Sequence, residues 1–552
     1  MNEPYNLDSL MAKLGDFGRY QGFQFFLHIL SAVTAGLNML SLATVAAIPD
    51  HRCVIPEVDL NPDGSIIFNA TFATTEFIPR LESGKINSCL GWNVTTNSTY
   101  TCQKWIYDDT YYQTSRAIDW DFVCDRKWMG SVAQSIYMVG VLTGAVVMGT
   151  LADKYGRKPV FCISGILQLI LGLLDAFTPE YYSFVIVRYI YGIFGSAGAY
   201  IPGFVLTMEL VGPSKRSMCG IAFQAAFAFG IMLVAGWGSF IKDYQMLQII
   251  YGLHSLVFFA HIWLMDESPR WLWSNGKVKE AVNIVQKALK INGHKGELDV
   301  AEYVSKGNAE SRTRETEKKG MSDLFKTPNL RIKTINVCLC WFANSLVYYG
   351  LSFSTSSMKG NPYLNMFLMG AVELPSYVIT VYLMDRLGRR ILTAFCMLVG
   401  GVCCISAANM ATGSTEAISV VMIGKFLIAA SFAIIYNYSA ELFPTVVRNS
   451  AMGLGSMAAR CSGSLAPLLL LCDFLDPRLP SVVFAIIAIV SGTWVLFLPE
   501  TLNKPMPSSI EDGENFGVGD TFFTSLSRRK RNASLETPPA KAFASEQMEP
   551  LR

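Results

Sequence analysis

The sequence predicts an all-α membrane protein in which twelve transmembrane helices form two six-helix halves related by pseudo-symmetry. Of its 552 residues, 51% are hydrophobic and only 16% are charged, whereas about 25% of the residues of soluble domains are charged. Twelve apolar runs long enough to cross a bilayer follow one another in two groups of six. Polar motifs in the first group recur in the second, which indicates that the two halves are related.

The helices follow from the lengths of the apolar runs. A helix needs about 20 apolar residues to cross the hydrocarbon core, because backbone groups left unpaired in lipid are costly. In the N-terminal half, residues 21–265, the predicted helices are 21–47, 129–150, 159–176, 182–205, 217–238 and 245–265. In the C-terminal half, residues 333–498, they are 333–353, 363–383, 390–411, 417–439, 449–472 and 480–498.

The distribution of Lys and Arg predicts the orientation. Short loops on one side of the predicted bundle carry nine of these residues, and short loops on the other side carry three. Because Lys and Arg collect in cytoplasmic loops, we expect the terminal segments 1–20 and 499–552 and the central loop 266–332 in the cytoplasm. The nine are Lys154, Arg157, Lys158, Lys215, Arg216, Arg386, Arg389, Arg390 and Arg448, and the three are Lys242, Lys359 and Arg478.

The long loop 49–128 is then extracellular. It contains an even number of cysteines, which predicts two disulfides in an oxidising compartment without fixing their connectivity. It also contains three sequons for N-glycosylation, which fit an exposed extracellular position. The cysteines are Cys53, Cys89, Cys102 and Cys124, and the sequons begin at Asn69, Asn93 and Asn97. These features favour the plasma membrane.

Several classes of function are excluded by what the sequence lacks. The net charge of +2 is too small for an electrostatic footprint on nucleic acid. The sequence has no Cys/His metal spacing, phosphate-binding loop or dinucleotide fingerprint. We therefore expect no enzyme, no metal and no cofactor, and a lipid bilayer with a small organic ion as the partners.

Two motifs repeat at one offset. GTLADKYGRKPV (149–160) matches VYLMDRLGRRIL (381–392), and ELVGPSKRS (209–217) matches ELFPTVVRN (441–449). The matched charges, each 232 positions apart, are Asp153 with Asp385, Arg157 with Arg389, Glu209 with Glu441, and Arg216 with Arg448. Internal repeats of this size are typical of secondary transporters. We interpret the eight charges as a cytoplasmic latch that holds the halves together and breaks on opening; plain positive-inside anchoring is the alternative.

Two ionisable residues fall in the middle of predicted helices. Glu373 lies in AVELPSY (371–377) and Arg460 in MAARCSGSLAP (457–467). Such residues are costly in a membrane and are candidates for binding charged substrates. The planar guanidinium suits a carboxylate, and Glu373 can attract an ammonium. The alternative is that the two side chains neutralise each other and tie their helices together.

Aromatic residues can form a cation–π surface for an organic cation. Tyr377 follows Glu373 by four positions and shares its helix face, as Tyr436 does with Phe432. The candidates are Tyr348, Tyr349, Tyr377, Phe432, Tyr436 and Phe227. Arg188 and Lys425, in the outer parts of their helices, are interpreted as structural or gating residues.

The repeated Asp-x-x-Gly-Arg-[Arg/Lys] motif resembles the signature of the major facilitator superfamily. Five further features narrow this to the organic cation, organic anion and carnitine transporters, solute carrier family 22. They are GDFGRYQ (15–21), the long cysteine-bearing loop, WDFVC (120–124), DESPRWLWSNGK (266–277) and LPETLNKPMP (498–507). Sugar porters share the motif after helix 6, but they lack the long loop and carry a Gln-rich helix 7, where this sequence reads NSLVYYGLSF.

The resemblance implies the major facilitator fold and a disulfide-bonded, glycosylated first loop. By similarity, Cys53 pairs with Cys102 and Cys89 with Cys124. Members of the family often have six cysteines in this loop, whereas this chain has four.

The resemblance also bears on the binding residues. Gln224 and Phe227 match positions of the cavity wall, and the aromatic residues on predicted helices 7 and 10 match cavity positions of the anion branch. Arg460 matches an Arg of the anion and carnitine branches, where cation transporters have Asp. Tyr377 is similar to the carnitine branch, and the end of helix 1 resembles the anion branch.

These observations predict a transporter of small organic ions by alternating access, favouring carboxylate-bearing zwitterions such as carnitine-like or amino-acid-derived compounds. An organic anion exchanger and a polyspecific organic cation transporter are the alternatives. Outside the transporters, the hypothesis is a non-transporting receptor on the same fold. The sequence does not specify a coupling ion or an oligomeric state.

Overall fold

The computed structural model describes residues 6–54, 87–93, 98–294, 298, 300–305, 321–354, 358, 360–410 and 414–517. Within them the chain forms twelve long helices in two groups of six. The N-terminal group is α1 Arg19–Val45, α2 Cys124–Tyr155, α3 Arg157–Ala176, α4 Tyr181–Leu210, α5 Pro213–Phe240 and α6 Tyr244–Leu264. The C-terminal group is α7 Pro328–Ser354, α8 Pro362–Leu387, α9 Arg389–Asn409, α10 Thr415–Leu442, α11 Arg448–Phe474 and α12 Leu479–Val495.

Eleven of these helices are long and apolar enough to cross a membrane, and α12 is apolar but has only 17 residues. The predicted all-α membrane fold is confirmed. Most helices begin or end a few residues beyond the apolar run that predicted them; α2, for example, continues to Tyr155. The added turns carry polar residues, because a helix continues beyond the hydrocarbon region wherever water can solvate its side chains.

The helix α4 contains a π-helical stretch at Gly192–Gly198. A Cβ on Gly192 would lie 2.3 Å from the carbonyl oxygen of Tyr137. Glycine at this position therefore allows the backbones of α2 and α4 to touch, an approach that no larger residue permits.

The two ends of the bundle differ in composition. One end holds the connection from α1 to α2 and is called the loop face here. Its strands are β1 His51–Cys53, β2 Leu90–Asn93, β3 Ser98–Thr101 and β4 Trp105–Tyr107, paired antiparallel as β1–β4 and β2–β3. Disulfides join Cys53 to Cys102 and Cys89 to Cys124. Both pairings agree with the prediction, while Asn69 and Asn97 lie outside the described residues and Asn93 ends β2.

The opposite end, called the basic face here, carries the repeated charged motifs and several short helices. These are Leu7–Leu14, Pro269–Ser274, Val278–Ile291 and Ile510–Asn515, with a 3₁₀ turn at Met321–Phe325. Val278–Ile291 buries the apolar stripe that includes Val282 and Val285. It is fixed to α1 where Asn292 accepts a hydrogen bond from the backbone N–H of Tyr20, at 2.9 Å.

The halves meet along two pairs of helices, α2 against α11 and α5 against α8. Within the N-terminal half, α1 packs on α5 so closely that a Cβ on Gly36 would lie 2.1 Å from the carbonyl oxygen of Phe227. Between the halves, a Cβ on Gly370 of α8 would lie 3.0 Å from the carbonyl oxygen of Ala228. These contacts bring parts of α1, α2, α4, α5, α7, α8, α10 and α11 around one central space.

Candidate functional site

A cavity with an empty volume of about 740 Å³ lies at the centre of the bundle, between the two halves. Small residues and aromatic rings form most of its wall. The residues lining it are Ala35, Met39, Val141, Ser196, Tyr200, Gln224, Phe227, Ser345, Tyr348, Tyr349, Tyr377, Phe432, Tyr436, Ser456, Ala459 and Arg460. Helices from both halves therefore contribute to one binding space.

Eight of the nine residues predicted to bind substrate line this cavity: Arg460, Tyr377, Tyr348, Tyr349, Phe432, Tyr436, Gln224 and Phe227. The ninth, Glu373, is completely buried behind the wall. Its carboxylate accepts hydrogen bonds from Tyr348 Oη at 2.9 Å and from Tyr377 Oη at 2.7 Å. Both tyrosines line the cavity, so Glu373 holds its wall from behind.

Glu373 is paired with Lys425. Lys425 Nζ lies 3.0 Å from Glu373 Oε1, and neither side chain is exposed. The ammonium also donates a hydrogen bond to Ser352 Oγ at 2.6 Å and lies 3.1 Å from the centroid of the Tyr348 ring. The two charges and their neighbours form a closed, neutral group beside the cavity.

The alternative interpretation, in which Glu373 and Arg460 neutralise each other, is wrong. Lys425 of α10 reaches Glu373 of α8 within the C-terminal half, where α8 and α10 pack together. Both helices begin at the loop face, and Lys425 lies about as far along α10 as Glu373 lies along α8, so the lysine side chain reaches across from one helix to the other to close the pair. Sequence spacing does not reveal this reach.

Arg460 is half-buried in the cavity wall on α11. Its Nη1 donates hydrogen bonds to the backbone oxygen of Ser456, at 3.2 Å, and to the hydroxyl of the same residue. Across the described ranges, it takes part in no ion pair. Among the residues that the structure describes, the cavity therefore presents one cationic group, Arg460, whose charge is not balanced by a neighbouring carboxylate.

Aromatic rings form much of the wall of the cavity that Arg460 borders. The Tyr348 ring packs against Tyr349 at 5.2 Å between centroids and against Phe432 at 5.8 Å, and Phe432 packs against Tyr436 at 5.7 Å. Trp341 supports Tyr436 from behind at 4.3 Å. The ring faces supply apolar contact area and negative π surfaces together, which suits an organic ion better than an inorganic one.

The sequence analysis missed several cavity residues. Tyr200 of α4 and Met39 of α1 line the cavity, as do three serines, Ser196, Ser345 and Ser456. Tyr200 lies two residues after the end of the π-helical stretch. A serine within an apolar helix can indicate a polar cavity. Many serines of this chain face other helices, however, so this pattern does not identify the three cavity serines.

Two equivalent charge clusters lie on the basic face. In the N-terminal half, Arg157 Nη2 is 3.0 Å from both Asp153 Oδ1 and Glu209 Oε1. The sequence analysis missed Glu267, whose carboxylate accepts hydrogen bonds from the backbone N–H groups of Arg157 and Lys158 at 3.2 and 3.1 Å. Burial raises the pKa of Glu267, and the backbone donors partly oppose this.

The C-terminal half repeats the arrangement. Arg389 Nη2 lies 3.2 Å from Asp385 Oδ1 and 3.0 Å from Glu441 Oε1. Glu500 accepts from the backbone N–H groups of Arg389 and Arg390 at 2.9 and 3.1 Å. Each Glu thus caps the N-terminus of a helix, where negative charge is favoured.

These ion pairs join helices of one half and do not link the two halves, which corrects the expected latch. Each Arg begins the third helix of its half, and the partner Glu lies near the end of the fourth, so the pair closes locally. Arg216 and Arg448 donate to the backbone carbonyls of Val211 and Phe443, both at 3.3 Å.

Arg188 of α4 is completely buried in the N-terminal half. Its Nη1 lies 3.4 Å from Asp175 Oδ2 and 3.2 Å from Ser41 Oγ, and its guanidinium lies 4.7 Å from the centroid of the Tyr137 ring. These contacts join α1, α2, α3 and α4 and place Arg188 away from the residues that line the central cavity.

Comparisons with known proteins agree with this architecture. Residues 86–509 match the family model described as "Sugar (and other) transporter". The "Organic cation transporter protein" of Drosophila melanogaster is 37% identical over 523 residues, covering 92% of this chain and 95% of the relative. "Solute carrier family 22 member 16" of Xenopus laevis is 33% identical, covering 93% and 95%, and the "Beta-alanine transporter" of Drosophila melanogaster is 30% identical, covering 99% and 95%.

Among solved structures, a proton:xylose symporter of the major facilitator superfamily, XylE, matches with a TM-score of 0.57 at 16% identity. The match covers 88% of this chain and 98% of the symporter. That likeness establishes the fold of the bundle. The family model and the sequence relatives show that this chain, which has the major facilitator fold, belongs to solute carrier family 22 within the sugar (and other) transporters.

Proposed function

We propose that this transporter carries small organic ions bearing a carboxylate, favours zwitterions, and works by alternating access. The observation that carries the proposal is the difference between the two charged groups of the central site. Glu373 is already paired with Lys425, whereas Arg460 borders the cavity without an acidic partner among the described residues. An incoming carboxylate is the ligand that satisfies Arg460, with two parallel hydrogen bonds.

The aromatic wall accounts for the second charge of a zwitterion. A substrate ammonium can lie against the faces of Tyr349, Phe432 and Tyr436 while its carboxylate binds Arg460. The name of one relative, "Beta-alanine transporter", describes a carrier of a small amino acid with both charges. This name supports the zwitterion over a simple anion.

Organic cation transport is the second candidate. The relative that is 37% identical is named for organic cations, and Glu373 supplies a carboxylate close to the cavity. For a cation to use it, the ammonium of Lys425 has to leave its position 3.0 Å from Glu373. Because that exchange replaces one buried cation with another, it offers less gain than the pairing of a carboxylate with Arg460.

The proposal includes an orientation. The nine-to-three excess of Lys and Arg in the short loops on the basic face supports a cytoplasmic basic face with both termini inside. The disulfides of the loop between α1 and α2 support an oxidising, extracellular environment for the loop face. The plasma membrane and glycosylation of this loop are parts of the same proposal.

The experiment measures uptake of three labelled probes by cells that express the chain. The probes are a carnitine-like zwitterion, an aromatic carboxylate and a quaternary ammonium without a carboxylate. The variants are Arg460→Ala, Arg460→Lys, which keeps the charge but loses the planar fork, and Arg478→Ala, the matched control in the link from α11 to α12. Surface labelling corrects each uptake for the amount of protein in the membrane.

We expect Arg460→Ala to lower uptake of the two carboxylate probes by about 10- to 150-fold, since a charge-assisted hydrogen bond contributes about 1.5–3 kcal/mol. Arg460→Lys should recover part of this loss, and Arg478→Ala should behave as wild type. Uptake restricted to the quaternary ammonium and unchanged in Arg460→Ala would overturn the proposal in favour of cation transport.

A further inference from the structure

A second cavity, with an empty volume of about 1730 Å³, lies on the loop face. Its residues come from the ends of α1, α2, α7, α11 and α12, so both halves contribute to it. They include Ala47 and Ile48 at the end of α1, Lys127, Ser131 and Gln134 at the start of α2, and Asp473 at the end of α11. This position makes the cavity an entrance between the halves.

The two cavities approach each other at a hydrogen bond between α1 and α2 and at a stacked ring pair on α7, Phe353 with Tyr349, 6.0 Å between centroids. Gln134 lines the loop-face cavity, and its Nε2 donates to the backbone oxygen of Met39 at 3.1 Å. Met39 lines the central cavity. A solute that enters from the loop face therefore meets these contacts before it reaches the central site.

An ion pair crosses this entrance. Lys127 Nζ lies 2.7 Å from Asp473 Oδ2, with 48% of the lysine side chain and 38% of the aspartate side chain exposed. In the ranges that the structure describes, no other ion pair joins the two halves. The second oxygen, Asp473 Oδ1, is buried without a hydrogen-bond partner. The carboxylate thus depends on Lys127.

Hydrogen bonds between uncharged groups also join the two halves, and they occur at both ends of the bundle. On the loop face, Tyr363 Oη of α8 donates to the backbone oxygen of Tyr111 at 2.9 Å. On the basic face, Ser217 Oγ of α5 donates to Asn437 Oδ1 of α10 at 3.0 Å. A direct attraction between opposite charges distinguishes the loop face.

We propose that Lys127 and Asp473 form the gate of the transporter at the loop face. The entrance widens when the start of α2 moves away from the end of α11, and this movement separates the two charges. The pair therefore stabilises the state in which the entrance is narrow. The gate proposal depends on the transporter fold. It does not depend on whether the substrate that binds Arg460 is an anion or a zwitterion.

The size of the effect follows from the exposure of the pair. Half-exposed ion pairs are weak, because water and salt screen them. A gate of this kind shifts the equilibrium between narrow and open entrances by about two- to fivefold. Such a gate is held closed and still opens readily, which a carrier that cycles repeatedly requires.

The test measures how fast a thiol inside the entrance reacts with a charged methanethiosulfonate reagent. Ser131→Cys places that thiol in the loop-face cavity, and Cys472→Ser removes the half-buried native cysteine beside Asp473. The full-length protein is purified into lipid nanodiscs, where both faces are accessible. The rate of the same protein without Ser131→Cys is subtracted.

Three variants are compared in this background: Lys127→Ala, Asp473→Ala and the charge swap Lys127→Asp with Asp473→Lys. The matched control is Lys242→Ala, because the Lys242 ammonium also lies on the loop face but donates to the backbone oxygen of Thr110 in its own half, at 2.7 Å. Each variant must elute as a single folded species. A neutral methanethiosulfonate reagent is run in parallel, because the substitutions also change the local charge that a charged reagent meets.

We expect both single variants to raise the reaction rate about two- to fivefold with either reagent, and the charge swap to return it to the starting rate. Lys242→Ala should leave the rate unchanged. Single variants that react at the starting rate, or a charge swap that reacts as fast as they do, would overturn the gate. A different result would overturn the gate and assign Lys127 and Asp473 to substrate binding. In that case the charge swap would take up substrate with a raised apparent KM, and its thiol would still react as fast as in the single variants.

Discussion

The ammonium of Lys425 lies 3.0 Å from the carboxylate of Glu373, and both side chains are completely buried. Tyr348 and Tyr377 donate hydrogen bonds to the same carboxylate. The cost of placing two charges in the membrane is thereby reduced by their mutual attraction and by the two hydroxyl groups. The pair explains how a chain can keep an acid and a base beside an apolar cavity without either being available to a substrate at rest.

This pairing predicts an asymmetric response to substitution. Glu373→Gln removes one charge and leaves Lys425 buried without its partner, which should destabilise the protein by about 3–5 kcal/mol. Glu373→Gln combined with Lys425→Met removes both charges and should be clearly more stable than Glu373→Gln alone. Thermal unfolding of the detergent-purified proteins measures the difference. A double variant that is less stable than the single one would show that the two side chains act independently.

The contact between α1 and α5 predicts a steric effect. The Cβ introduced by Gly36→Ala would lie 2.1 Å from the carbonyl oxygen of Phe227, so the helices have to separate. We expect a loss of about 1–3 kcal/mol, the usual range for overpacking. Gly236→Ala is the control, because nothing lies within 4 Å of its new Cβ, and it should be neutral or slightly stabilising. Equal melting temperatures for the two variants would argue against the close approach.

The charge clusters predict where substitutions couple. Arg389 and Glu441 are in contact, so Arg389→Ala and Glu441→Ala should be non-additive by about 1–2 kcal/mol. Arg157 belongs to the other half, so Arg157→Ala and Glu441→Ala should add within about 0.5 kcal/mol. Double-mutant cycles on thermal stability measure both values. Strong coupling between Arg157 and Glu441 would restore the interpretation that these charges hold the halves together.

His51 of β1 predicts a pH effect on the loop. Burial lowers the pKa of His51 below its ordinary value of 6.5, and a hydrogen bond to the backbone oxygen of Pro49 partly opposes this. The unfolded loop therefore binds the proton more strongly than the folded loop does, and folding stability is present above pH 6.5 and lost as the pH falls through the folded-state pKa. Limited proteolysis of the loop should accelerate between pH 7.5 and 5.

The control for this effect is His51→Asn, whose side chain does not titrate in that range. Its proteolysis should change less with pH than that of the wild type, once the protease rate is corrected with an unfolded reference. An identical acceleration in both proteins would assign the pH effect to other groups.

Apolar run length was sufficient to predict the twelve helices, because the requirement to pair every backbone group in lipid leaves few alternatives. Four-residue spacing correctly placed Tyr436 on the same face of α10 as Phe432, and both residues line the cavity. The partner of Glu373 did not follow, since it depends on how far the Lys425 side chain reaches across two helices. The π-helical stretch in α4 also left no periodic signal, because it changes the register within an otherwise regular apolar run.

The charges beside the central cavity sum to one positive charge, because Glu373 and Lys425 cancel and Arg460 stands without an acidic partner in the described part of the chain. With a monocarboxylate bound, the site becomes neutral; with a zwitterion bound, it keeps its charge. One elementary charge that crosses a membrane gains or loses about 2.3 kcal/mol per 100 mV. If the proposed substrates bind at Arg460, we therefore expect membrane voltage to act on the empty carrier and on the zwitterion-loaded carrier more than on the carrier loaded with a simple anion.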